Sequence, residues 1–128
     1  KHDADGNLKN GKITDYYKGG EVCSVGKFLS GKRTGRWKFY FVNGNLQSVG
    51  KYDDDRLIGE WKWYRESGTL MQVGAFDENE KKTGVWKRYH PNGKLMDEGE
   101  FVAGKKVGEW RMFDLTGKAT KTVQHKNK

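Results

Sequence analysis

Three observations predict an all-β fold, a single-layer, strongly twisted antiparallel meander of about ten strands built from five β-hairpin repeats of about 24 residues. Trp37, Trp61, Trp86 and Trp110 are separated by 24, 25 and 24 residues. Each has a glycine two residues before it (Gly35, Gly59, Gly84, Gly108) and an aromatic three residues after it (Tyr40, Tyr64, Tyr89, Phe113). A further glycine follows at seven (Gly44, Gly68, Gly93, Gly117) and a third at thirteen after the first three (Gly50, Gly74, Gly99); with Gly11, Gly20 and Gly26 of the first copy, 14 of the 18 glycines fall in register, beside a single proline in the whole chain. A fixed period of this length marks a repeat architecture. Glycine this frequent disfavours helix, at a cost of about 1 kcal/mol per helical site.

The first copy is degenerate, with Gly11, Ile13, Tyr16, Gly20, Gly26 and Phe28 on the shared positions. The second shows the unit clearly. Residues 37–41 and 46–52 are short and rich in β-formers, and Asn43-Gly44 lies between them. Asn-Gly predicts a two-residue type I′ turn, which needs positive φ at both positions. Position i then faces 87 − i, and Trp37 faces Gly50. The same rule sets Ile13 against Gly26, Trp61 against Gly74 and Trp86 against Gly99. Between repeats, two-residue turns at Gly31-Lys32, Asp55-Arg56 and Gly104-Lys105 set Gly26 against Trp37, Gly50 against Trp61 and Gly99 against Trp110. The connection over 77–83 has one extra residue and predicts a bulge or longer loop. The outcome is one row of alternating indole and glycine, each ring lying over a residue with no side chain.

Alternation assigns the faces. The first carries the Trp row, Phe28, Tyr52, Phe76 and Phe101, and Val22, Leu46, Leu70 and Leu95. The second carries Tyr16, Tyr40, Tyr64, Tyr89 and Phe113, with Lys38, Lys62, Lys87 and Arg111, and Cys23, Val25, Val49, Met71, Val73 and Met96. The first is expected to be the packing face. Lysines near the end (Lys118, Lys121, Lys126, Lys128) discourage edge-to-edge pairing.

The 128 residues suit one repeat domain, 1–128, with repeats over 11–34, 35–58, 59–83, 84–107 and 108–123 and tails over 1–10 and 124–128. Sparse Leu, Ile, Val and Phe with a formal charge of +8 would suit a disordered chain, but the 13% of aromatic residues and the register argue for a fold. No apolar run reaches the length of a membrane span. A single cysteine excludes an internal disulfide.

The unit Gly-x-Trp-x-x-Tyr-x-x-x-Gly-x-Leu, then Gly-x-aromatic, then a Gly-Lys-x-x-Gly loop, resembles the MORN repeat in its bacterial variant form. Gly84-Val85-Trp86-Lys87-Arg88-Tyr89-His90-Pro91-Asn92-Gly93-Lys94-Leu95 is the clearest copy. The resemblance covers about residues 11 to 117. The layout is similar to the group called YwqK-type antitoxin-like proteins. Ile13 at the first Trp position, Val123 at the last third-glycine position and the acidic connection over 77–80 depart from the pattern. The resemblance implies hairpin repeats, protein association and no chemistry; the antitoxin label implies a protein partner.

The residues themselves show no catalytic set, and no enzyme activity and no cofactor are expected. His2, His90 and His125 lack neighbours at metal-ligand spacing, so no metal site is assigned. His90, beside the turn, reads as an exposed loop residue. Cys23 shares its position with Gln47, Met71, Met96 and Thr120 and reads as a half-buried filler. Asp53, Asp54 and Asp55 have Leu29-Ser30-Gly31 and Val102-Ala103-Gly104 as repeat equivalents, so the carboxylates do not recur and the run reads as a solvated turn, not a calcium loop. One constellation remains for binding: Lys38 and Tyr40, Lys62 and Tyr64, Lys87 and Tyr89, Arg111 and Phe113, recurring every second strand at roughly 9.5 Å. A second basic set on the connections (Lys32, Arg33, Arg56, Lys81, Lys82, Lys105, Lys106) reads as a solubility device.

The expected function is a scaffold for a protein partner. The alternative is binding of an anionic surface or polymer, acidic lipid or cell-envelope polysaccharide, through the Lys/Tyr ladder. No nucleic-acid motif is present, so no specific nucleic acid is expected. The chain opens on Lys1, which suits a cleaved export signal, and an exported bacterial location is expected with the cytoplasm as the alternative. Residues 4–8 read as the tail of another repeat. Oligomeric state is left open.

Overall fold

Each repeat contributes two strands, and the computed structural model, which describes residues 8–126, joins ten of them in one open antiparallel sheet in chain order. They are β1 (Gly11–Tyr16), β2 (Val22–Leu29), β3 (Lys32–Tyr40), β4 (Leu46–Asp53), β5 (Arg56–Tyr64), β6 (Leu70–Phe76), β7 (Lys82–Tyr89), β8 (Leu95–Val102), β9 (Lys105–Phe113) and β10 (Ala119–His125). There is no helix among the described residues. His2, Lys128 and the opening residues 4–7 lie outside them.

The predicted glycine–indole row is present, but the turns reach it by a different route. At the first full hairpin the Gly44 N–H donates to the Phe41 carbonyl at 2.9 Å, and the Phe41 N–H donates to Asn45 at 2.8 Å. Gly44 has φ +92°, whereas Asn43 is not among the residues with positive φ. This is a type I turn closed by a left-handed glycine, a three-residue loop and not the expected type I′ turn. Asn43 is occupied otherwise. Its Oδ1 accepts from the Asn45 N–H at 2.8 Å, and its Nδ2 donates to the Glu66 carbonyl of the next hairpin at 2.9 Å.

The extra loop residue is cancelled by a bulge. Tyr40 faces Leu46 and Phe39 faces Ser48, which leaves Gln47 over; Trp37 then faces Gly50 as predicted. Cys23, Met71, Met96 and Thr120 are the surplus residues of the other hairpins. One face assignment changes as a result. Val22, Leu46, Leu70 and Leu95 stand opposite Tyr16, Tyr40, Tyr64 and Tyr89, on the Tyr face and not the Trp face.

The type I′ turns are found between repeats, one residue earlier than expected. Ser30-Gly31 (φ 51°, 80°), Asp54-Asp55 (55°, 69°) and Ala103-Gly104 (49°, 84°) have both residues left-handed. The resulting two-residue offset is absorbed further along. Val25 faces Lys38 and Lys27 faces Thr34, so residues 35–37 stand opposite Gly26 alone. Gly35, at φ +69°, is the residue that permits this wide bulge. The connection at 77–83 forms the longer loop its extra residue predicts, with Glu80 left-handed at φ 63°.

The bulges deliver each indole onto the preceding strand. A methyl group on Gly26, Gly50, Gly74 or Gly99 would come within 1.9–2.0 Å of Trp37, Trp61, Trp86 or Trp110 respectively. Each indole lies across backbone that only glycine leaves bare. Its Nε1–H donates to a carbonyl of the strand beneath: Trp37 to Lys27 at 3.0 Å, Trp61 to Lys51 at 3.1 Å, Trp86 to Ala75 at 3.2 Å, Trp110 to Glu100 at 3.2 Å. The buried N–H is thereby satisfied.

Rings and cations bury the indoles of this face without a second layer. The four tryptophans are only 2–4% exposed. Phe28, Tyr52, Phe76 and Phe101 meet them edge-on at 5.1–5.4 Å between centroids. Trp63, outside the main register, stacks between Trp61 and Trp86 at 6.0 and 5.5 Å. Burial pushes the Tyr52 phenol above its ordinary pKa, with Arg33 partly offsetting the rise. Arg33 stands over Trp37, Lys82 over Trp86 and Lys106 over Trp110, at 5.5, 4.8 and 4.8 Å. These members of the connecting basic set roof the Trp row by cation–π contact, which corrects their reading as a solubility device.

Candidate functional site

The opposite face holds the binding constellation. On that side of each wide bulge, three residues confront one glycine and leave a shallow groove. The first, of about 350 Å³, is lined by Lys12, Val25, Gly26, Gly35, Lys38 and Tyr40. The second, of about 460 Å³, has Arg36, Val49, Gly50, Gly59, Lys62 and Tyr64 in the corresponding places. The third, of about 400 Å³, has Val73, Gly74, Gly84, Lys87 and Tyr89, with Glu60 where the first has Lys12. The glycines that receive indoles on one side thus form groove floors on the other.

Three of the four predicted Lys/aromatic pairs therefore share a groove each. Lys38 and Lys62 are exposed, Lys87 is half-buried, and Tyr40, Tyr64 and Tyr89 are half-buried walls. The fourth pair departs from the pattern. Glu98 stands where the earlier cells have Val25, Val49 and Val73, and it pairs with Arg111 at 3.5 Å. That cation is partly neutralised.

The Tyr row is held at its ends by the hairpin tips. The Tyr17 hydroxyl donates to the Tyr40 carbonyl, Arg65 Nη2 donates to the Tyr89 carbonyl at 2.9 Å, and His90 Nε2 donates to the Phe113 carbonyl at 2.9 Å. His90 is half-buried, not the exposed loop residue its place beside Pro91 suggests; the Phe113 carbonyl draws it inward.

Other candidates resolve into structure. Asp55 accepts the Arg33 N–H at 2.8 Å and Asp54 pairs with Lys32 at 3.3 Å, so the aspartate run ties one connection to its neighbour. Cys23 is a half-buried free thiol at a bulge. Among the described residues, no group of three or more His, Cys, Asp or Glu is placed to hold a metal. Sequence reasoning missed one pair on the Trp face. Arg88, where other repeats have Phe39 and Trp63, forms a bidentate ion pair with the buried Asp97 (5% exposed). This hydrogen bonding raises the guanidinium pKa further.

A ten-strand sheet with one aromatic face that buries its own indoles, hollowed by about 210 Å³ between Lys82, Arg88, Asp97 and Lys106, and one grooved basic face defines a β-hairpin repeat array that presents a surface. The profile of the MORN repeat variant matches residues 33–54, 57–79 and 82–103, just over half of the chain. The chain belongs to the MORN repeat variant family, whose repeats are non-catalytic motifs for protein or membrane binding. It has no significant match among curated proteins.

Proposed function

We propose that the protein is a non-enzymatic scaffold that docks a partner protein along the Lys/Tyr grooves. The recurrence of one groove per repeat over three repeats, on the face the aromatic side chains leave open, carries this reading. Tyrosine supplies large contact area at low entropic cost, and glycine floors admit a backbone closely. Lys38, Lys62 and Lys87 would favour an acidic partner. The resemblance supports a narrower form in which that partner is a toxin; separately, the single cysteine and the abundant Tyr, Trp and Gly suit an exported location. The unbroken ten-strand sheet over 11–125 supports a single repeat domain over 1–128.

The test is selection of displayed peptides on the full chain, repeated on the triple variant Tyr40→Ala, Tyr64→Ala and Tyr89→Ala. Selected peptides should bind the variant at least about tenfold more weakly, a difference of about 1.4 kcal/mol, while its circular dichroism matches wild type. Unchanged affinity would contradict the reading.

A second reading, an anionic lipid surface, is favoured by the exposed Lys38 and Lys62 and the +8 charge. It predicts binding to phosphatidylserine vesicles that survives loss of the tyrosines and falls steeply with salt.

A further inference from the structure

The spacing of the grooves selects a ligand conformation. Equivalent groove positions lie two strands apart, which at ordinary strand spacing is about 9.4–9.8 Å. Resting on the groove reading above, we propose that the bound segment is an acidic, proline-rich strand in the polyproline-II conformation, laid across β3 to β7 with three residues to each repeat.

The argument is one of periods. A polyproline-II helix returns a side chain to the same side every three residues, after about 9.3 Å. Across three grooves, two intervals, the mismatch with the sheet stays at about 1 Å or less. An extended β-strand returns a side chain to one face after about 6.7 Å and falls out of step at once. An α-helix comes back to nearly the same side after seven residues, about 10.5 Å, and slips by about 2 Å over the same span. Only the three-residue helix can address Lys38, Lys62 and Lys87 with equivalent side chains in succession.

The lining suits the same ligand. Each groove pairs a tyrosine wall with a glycine floor and a valine, as in Tyr64, Gly50 and Val49, and aromatic-lined grooves accept proline rings. A polyproline-II backbone makes no internal hydrogen bonds, so its carbonyls are open to the lysine ammonium groups beside it. Lys12, Lys27, Arg36 and Lys38 around the first groove, and Arg36, Lys51 and Lys62 with Glu60 around the second, give a positive field that falls toward the third, where Glu60 offsets Lys87. Acidic residues at every third position would meet it one per repeat.

The test uses two synthetic twelve-residue peptides of identical composition, four glutamates in a proline background, titrated calorimetrically into the full chain. One has glutamate at every third position; the other alternates spacings of two and four. Both keep the helix, so only the register differs. The regular peptide should bind at least about tenfold more tightly, and Tyr64→Ala should weaken it while leaving the irregular peptide unchanged. Equal affinities would overturn the proposal and reduce the interaction to net charge. Failure of both peptides would also overturn it, while the docking reading stands if displayed peptides still depend on the three tyrosines.

Discussion

The two faces of this sheet are made by alternate residues of the same strands, yet one is largely filled by its own rings and the other is a row of grooves. On the first, Trp37, Trp61, Trp86 and Trp110 lie on bare glycine, their N–H groups bonded to the strand beneath and their outer sides met by Phe or Tyr rings and, over Trp37, Trp86 and Trp110, by cations. On the second, the same glycines floor shallow grooves between valine, lysine and tyrosine. A sheet with no helix or second sheet to pack on thus builds a core from one face, and that arrangement leaves the other for a partner. The cohesion is local, since each indole bridges adjacent hairpins, as in other repeat arrays.

The largest test of this contrast is deletion on each face within one repeat. Trp61→Ala should cost about 3–5 kcal/mol, the usual range for losing a buried aromatic. Lys62→Ala, one residue along and exposed, should change stability by less than about 0.5 kcal/mol. Chemical denaturation of both variants checks the pair, and similar losses would remove the distinction between the faces.

Much of the closed face was legible because it is periodic. The tryptophan and glycine spacings predict which residues face each other, and the extra residue at 77–83 predicts its longer loop, although the two-residue turns lie elsewhere than expected. In the hairpins, a loop one residue longer is offset by the bulge at Gln47 and its equivalents. Between repeats, a turn one residue earlier is offset by the wide bulge at Gly35 and its equivalents. A period constrains the sum of such displacements and not their distribution along the chain, so the row was readable and the bulges were not. The grooves were unreadable for the same reason, since they are products of the bulges. Trp63 was overlooked because its position varies, as Phe39, Trp63, Arg88 and Met112. The Arg88 and Asp97 pair has no precursor in the other repeats. Lys82 and Lys106 read as surface charge because sequence does not reveal that their ammonium groups sit over rings.

The smallest effect belongs to the hairpin tips. The Asp114 carboxylate accepts from the Thr116 hydroxyl and from the backbone N–H groups of Thr116 and Lys118, and the first of these leads in holding its pKa below the ordinary carboxylate value. A carboxyl with a depressed native pKa stabilises the fold above its unfolded pKa, near 4, and loses that contribution as pH falls through the native value. Thermal melts between pH 6 and pH 2 should show a slightly smaller acid-induced loss in Asp114→Ala than in wild type. An identical loss would mean the cap contributes nothing.

The draping of indole over glycine is tested most directly by a double-mutant cycle of Gly50→Ala and Trp61→Ala, read by denaturant unfolding. In the native background Gly50→Ala should cost at least about 1–3 kcal/mol, because its methyl group would overlap the ring. With Trp61 already removed, the same substitution should cost about 1 kcal/mol less or become favourable, a coupling well outside additivity. Equal costs in the two backgrounds would contradict the account.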